Sequence, residues 1–147
     1  MKHEIILLST AFVSVFGFSL LYGLRRRYLF AAALGGLLTV AVYILSDHLL
    51  QENFLPYLIA SAFAALFAEL LARLLKCPAI LFLTPSILPL VPGGSLYYTM
   101  SHAVHGEMQA AMESGQTTAE AALAIAAGIS IVLAARQLGT KKKGTAS

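Results

Sequence analysis

The sequence predicts an all-α membrane protein, a polytopic helical bundle of about five spans, and three observations carry that reading. Hydrophobic side chains make up 59% of the 147 residues and charged ones 12%, about half the roughly 25% of an ordinary soluble domain. Several apolar runs approach the roughly 20 residues that cross a bilayer as a helix. The basic residues gather at the ends of those runs, where topology signals sit. The net charge of +3 therefore reads as membrane orientation and not as a nucleic-acid footprint. No polar stretch is long enough to fold separately. Residues 1–138 read as one transmembrane domain and 139–147 as a basic cytoplasmic tail.

The first span, about residues 5–24, is longer than the apolar core of a signal peptide and lacks a small-residue cleavage pattern. Arg25, Arg26 and Arg27 follow it directly, so it is expected to stay in the mature protein. The second, about 28–46, carries Ala31, Ala32, Gly35 and Gly36, which permit close helix contact. In the third, about 54–75, Ser61, Ala64, Ala65, Ala68 and Ala72 recur at helical spacing as a small-residue stripe. The fourth, about 79–100, is interrupted. The fifth, about 117–135, includes Ala124 and Gly128 at small-xxx-small spacing. Ahead of it, Met100, Val104, Met108, Ala111 and Met112 read as one face of an interfacial amphipathic helix.

Five crossings place Arg25, Arg26, Arg27, Arg73, Lys76, Arg136, Lys141, Lys142 and Lys143 on one side and leave only Lys2 opposite. Basic residues in short loops stay cytoplasmic. The expected orientation is therefore amino terminus out and carboxyl terminus in, with the interrupted segment crossing fully.

That segment is the most specific part of the chain. Pro85, Pro89, Pro92, Gly93 and Gly94 stand where a membrane helix should run unbroken. Each interior proline removes a donor and clashes with the carbonyl four residues earlier, and glycine adds backbone freedom. Unpaired backbone survives at membrane depth when protein buries it or when it lines a wet cavity. A passive kink is the plainer alternative, since proline is common in membrane helices. A half-helix starting near Gly93 would aim unpaired N–H groups at the gap, where a carboxylate fits. Tyr97 and Tyr98 could add hydroxyl donors there, or serve as interfacial aromatics. Pro89, Pro92, Gly93, Gly94 and Tyr97 are the candidate substrate-pathway residues.

The PLVPG string from Pro89 to Gly93, with the tyrosines after it and the long helix ahead of it, resembles the carboxyl-terminal half of the threonine/serine exporter family, in its separately encoded small-subunit form. The resemblance covers about residues 5–137. It implies a secondary exporter of small hydrophilic metabolites across the cell inner membrane, with threonine and serine as namesake solutes and small dicarboxylates such as succinate as relatives. It also implies a separately encoded second transporter half as partner, in a homo- or hetero-oligomer. Of the family's functional positions, it carries over Pro89, Pro92 and Gly93.

Glu69 is the one acidic residue well inside a span, which marks it as a coupling candidate. Arg73, four residues on, offers a structural ion pair instead. His102 and His105 lie three apart, but no cysteine or second histidine pair supports a metal site, and no cofactor is expected. Cys77 is the single cysteine, so no internal disulfide forms. No phosphate loop, metalloprotease pair or nucleophile elbow is present, so the chain does not read as an enzyme. A noncatalytic scaffold for a partner membrane protein is the alternative function. A simple channel would want a ring of charges that the spans lack.

Overall fold

Where small residues let backbones approach decides how these helices pack. The computed structural model describes residues 2–24 and 26–144, with side chains at 6, 8–24, 26 and 28–137. Arg25 and the last three residues lie outside the described residues, as do the side chains of Lys2, Glu4, Arg27 and Lys141–Lys143. The elements are α1 (Lys2–Leu21), α2 (Arg26–Leu50), α3 (Phe54–Leu75), α4 (Ile80–Ile87), a 3-10 turn (Leu88–Leu90), α5 (Gly93–Val104) and α6 (Met108–Gly144), with no strand among the described residues. The chain is an all-α membrane bundle.

Three helices are long and apolar enough to cross a membrane, at Tyr28–Leu50, Phe54–Leu75 and Met108–Gln137. Ile80–Leu90 and Gly93–Val104, bent by 49°, make a fourth if they count as one span, and Leu8–Leu21 is a shorter apolar helix. Helix ends differ from expectation where polarity and helix-breaking part company. α2 continues to Leu50 because Asp47 and His48 end the apolar run without a proline or glycine to end the helix; the chain turns only at Gln51, in the left-handed region (φ 50°). The expected interfacial helix over 100–112 is instead a hairpin. Gly106 (φ +79°) breaks it, and the Glu107 N–H closes the turn onto the His102 carbonyl at 2.9 Å, the Schellman arrangement that glycine permits. Met100 and Val104 thus belong to α5, while Met108, Ala111 and Met112 open α6.

At each glycine contact one residue fixes two helices. A Cβ on Gly36 would strike Val15, which seats α1 on α2. One on Gly35 would lie 2.6 Å from Ser86 Oγ and 2.8 Å from Phe67 Cε1, so α2 meets α4 and α3 there. One on Gly128 would run into Ser61 Oγ and lie 2.6 Å from the Leu58 carbonyl, which joins α6 to α3. Ala32, Ala68 and Phe82 form a buried cluster where α2, α3 and α4 converge, and Tyr28 packs edge-on against Phe82 with ring centroids 6.0 Å apart.

These contacts also give direction. Glu69 pairs with Arg136 across 67 residues, and Ser61 meets Gly128 at the same separation. Two contacts at one constant offset mean that α3 and α6 run parallel, in register. The stretch between them must therefore carry the chain back along the bundle. The same register sets Phe54 level with Ala121, so α6 from Met108 to Glu120, about 20 Å of helix, runs on past the start of α3. There α5 folds back along it, with Thr99 facing Gly115.

Candidate functional site

The break is built by proline. Val91 precedes Pro92 and is held extended (φ −59°, ψ 124°), because the following ring disfavours helix at that position. Leu88, Pro89 and Leu90 tighten into the 3-10 turn, which the Val91 N–H closes onto the Leu88 carbonyl at 3.2 Å. Pro92 (φ −76°, ψ 58°) adopts an inverse γ-turn, with the Gly93 N–H donating to the Val91 carbonyl at 2.7 Å. The Leu96 N–H then bonds the Pro92 carbonyl at 3.1 Å and α5 begins.

Two details depart from the sequence expectation. Positive φ among the described glycines occurs at Gly23 and Gly106, so Gly93 and Gly94 are ordinary first-turn helical residues and contribute no special backbone freedom. The Gly93 N–H is also consumed by the γ-turn, which leaves Gly94 and Ser95 to present the first-turn N–H groups without a backbone acceptor.

The five candidate pathway residues separate into two places. Pro89 lies inside, near the middles of α1 and α2. It lines a cavity of about 320 Å³ with Thr10, Ala11, Ser14, Phe18, Val40 and Leu88. A second cavity of about 120 Å³ shares Pro89 and Val40 and adds Tyr43, Ile44, Tyr57, Leu90 and Val91. Pro92 is half-buried at the turn, whereas Gly93 and Gly94 are exposed with open space around them. Tyr97 is 68% exposed and packs edge-on against Tyr98.

The cavity polar groups were not singled out in the sequence. Thr10 and Ser14, one helical turn apart, form a polar pair on the face of α1 toward the break. Thr10 Oγ1 donates to the Ile6 carbonyl at 2.7 Å, which satisfies its proton and leaves its lone pairs for a guest. Tyr43 and Tyr57 meet across α2 and α3 with ring centroids 4.8 Å apart, a pairing that only the antiparallel packing creates.

Glu69 sits elsewhere, between α3 and α6. Its Oε1 accepts from Arg136 Nη1 at 2.5 Å, while Arg73 Nε stands 3.9 Å from Oε2. The expected Arg73 pair exists, but Arg136 is the closer partner. His102 Nδ1 donates to Glu107 at 2.6 Å and His105 Nδ1 to the Ser101 carbonyl at 2.7 Å, so both histidines fasten the α5–α6 hairpin. Among the described residues no group of three His, Cys, Asp or Glu could hold a metal.

The two exposed glycines allow a clean test. Gly94→Ala meets no neighbour and suits a helix, so stability should hold or rise by about 0.5–1 kcal/mol. The variant should unfold thermally no earlier than the parent. If solute binds the first-turn N–H groups, its added methyl should still lower flux.

Comparison with curated proteins and with solved structures gives no match. The family described as Threonine/Serine exporter, ThrE, matches residues 7–135, a stretch that holds the break, both cavities and the α3–α6 seam up to Ala135. With that match across an all-α membrane bundle, this chain belongs to the threonine/serine exporter family and is a multi-pass membrane protein of export-type transport.

Proposed function

We propose that the chain is one subunit of a two-component secondary exporter of the cell inner membrane, moving small hydrophilic metabolites such as threonine, serine or a small dicarboxylate like succinate. One observation carries the reading. The segment that gives up regular helical bonding at Leu88–Gly93 abuts two adjoining cavities that share Pro89 and Val40. Broken helices beside cavities are how transporters hold solute. Thr10, Ser14, Tyr43 and Tyr57 supply sparse hydroxyls on largely apolar walls, and the Gly94 and Ser95 N–H groups offer a carboxylate contact at the outer mouth. Glu69 serves in this reading as a clamp between α3 and α6.

The orientation, amino terminus out and carboxyl terminus cytoplasmic, draws support from two features. Arg26 opens α2, Arg73 closes α3 and Arg136 lies level with Glu69, so three helices bring arginine to one end of the bundle. The parallel course of α3 and α6 requires the broken segment to return the chain, as a full crossing does. The separately encoded second half completes the passage from the other side.

The test is export from cells lacking this chain, the second half, or both, across a panel of amino acids and dicarboxylates. A shared accumulation of the same solute is expected in all three strains. In vesicles holding both subunits, an imposed pH gradient should change the flux of that solute. A chain whose loss lowers only the abundance of its partner, with per-molecule flux intact, would be a scaffold.

A further inference from the structure

We propose that the groove between α3 and α6 binds a phospholipid whose head carries both a phosphodiester and a primary ammonium, the phosphatidylethanolamine chemistry. The groove holds about 260 Å³ between Leu66, Glu69 and Arg73 on one wall and Ile131, Val132, Ala135 and Arg136 on the other. It opens on the outside of the bundle, where Leu66, Leu70 and Ile131 are exposed. This site is separate from the cavities at the break and stands whether or not they carry solute.

Its chemistry is graded along the helix axis. Toward the middle of the spans the walls are apolar, through Leu66, Ile131 and Val132. Toward the end of α3 they are made by Glu69, Arg73 and Arg136, which line the groove mostly with carbon and hold their charged groups at its edge. Glu69 is only 8% exposed, and its Oε2 has no hydrogen-bond donor among the described residues. Arg73 Nε, at 3.9 Å, is within ion-pair range but beyond hydrogen-bond reach. Arg136 is engaged with the other oxygen, and the Arg73 side chain is 67% exposed at the groove mouth. The trio thus keeps one positive charge in excess beside one acceptor that lacks a donor.

A phosphodiester on Arg73 neutralises the excess charge; as the exposed Arg73 side chain swings onto it, Glu69 Oε2, which is closed to solvent in this structure, opens to an ammonium that supplies the missing bond. Acyl chains then follow Leu66 and Ile131 toward the bilayer centre. Phosphatidylcholine offers the same phosphate and chains but no N–H, so it leaves the Glu69 oxygen unsatisfied.

The test is native mass spectrometry of the detergent-purified chain with added dioleoyl phosphatidylethanolamine or dioleoyl phosphatidylcholine. Retention of the first over the second by about tenfold is expected, the scale of one charge-assisted hydrogen bond. Glu69→Gln should remove most of that preference, and Arg73→Gln should lower retention of both lipids by about tenfold. Ile131→Trp blocks the apolar part of the groove without touching the ion pairs and should lower phosphatidylethanolamine retention by a similar factor. Glycerophosphoethanolamine, the head without chains, should not compete at equal concentration. Equal retention of the two lipids by the unsubstituted chain would overturn the proposal, and so would undiminished retention by a folded Ile131→Trp variant. If Glu69→Gln fails to fold, the two variants at exposed positions still decide the matter.

Discussion

Gly128→Leu is expected to remove most of the folded protein from the membrane. A Cβ alone at this position would overlap Ser61 Oγ and sit 2.6 Å from the Leu58 carbonyl and 3.0 Å from the Ala62 nitrogen. Those last two atoms belong to the α3 backbone and cannot rotate aside, so α6 must move outward. Overpacking a close interface typically costs about 1–3 kcal/mol, and a leucine here should reach or exceed about 3 kcal/mol because the obstacle is main chain. The displacement also separates Arg136 from Glu69, two turns further along the same seam. Abundance in membranes and thermal unfolding in detergent measure the effect. Ser61→Gly should rescue Gly128→Ala only in part, since it removes the hydroxyl and leaves the carbonyl. Wild-type abundance of Gly128→Leu would mean that α3 and α6 do not meet as described.

Val40→Phe should stop export while the protein remains in the membrane. Val40 lines both cavities, together with Pro89, and it lies on a regular stretch of α2, so the substitution leaves the break itself alone. The larger cavity holds about 320 Å³, room enough for a phenyl ring to enter without the strain that accompanies overpacking of a filled core. Export of the solute identified in the deletion strains should fall by at least about tenfold, equivalent to about 1.4 kcal/mol or more on the transport barrier. Unfolding temperature should stay near that of the parent, because the ring enters an open groove bordered by the exposed Thr10, Ser14 and Phe18 and displaces no packed side chain. Unchanged flux in a folded Val40→Phe variant would exclude these cavities from the solute path.

What was legible in the sequence and what was not divide along physical lines. Small residues at helical spacing announce close contact directly, and Ser61, Ala64, Ala65, Ala68, Ala124 and Gly128 are all buried. Pro89 and Pro92 mark the break, because a proline ring disfavours helix at the residue before it, but Pro85 stays buried inside α4, so the prolines alone did not say where the helix would give way. Partners that depend on register were hidden. Nothing local tells Glu69 that its closest cation is 67 residues away, nor that Tyr43 will meet Tyr57. Glycine misled in one direction and was underused in another. Gly93 and Gly94 looked like sources of backbone freedom yet take negative φ, while Gly106 set the α5–α6 hairpin within a stretch that apolar periodicity alone had joined into one helix. Cavities were invisible, since empty space belongs to no residue.

The overhang of α6 has a mechanical consequence. Its 37 residues form one rod gripped through Ser61 and Glu69, and the arm from Gly128 out to Met108 is about 30 Å long. A rocking of about 10° at that grip swings the far tip by roughly 5 Å, carrying α5 and the Pro92 hinge with it. The grip from Gly128 to Arg136 spans about 12 Å, so a shift of about 2 Å there is magnified into a displacement that paired spectroscopic labels can resolve. Labels at Met108 and at the α2–α3 loop are where movement during a transport cycle should register most strongly.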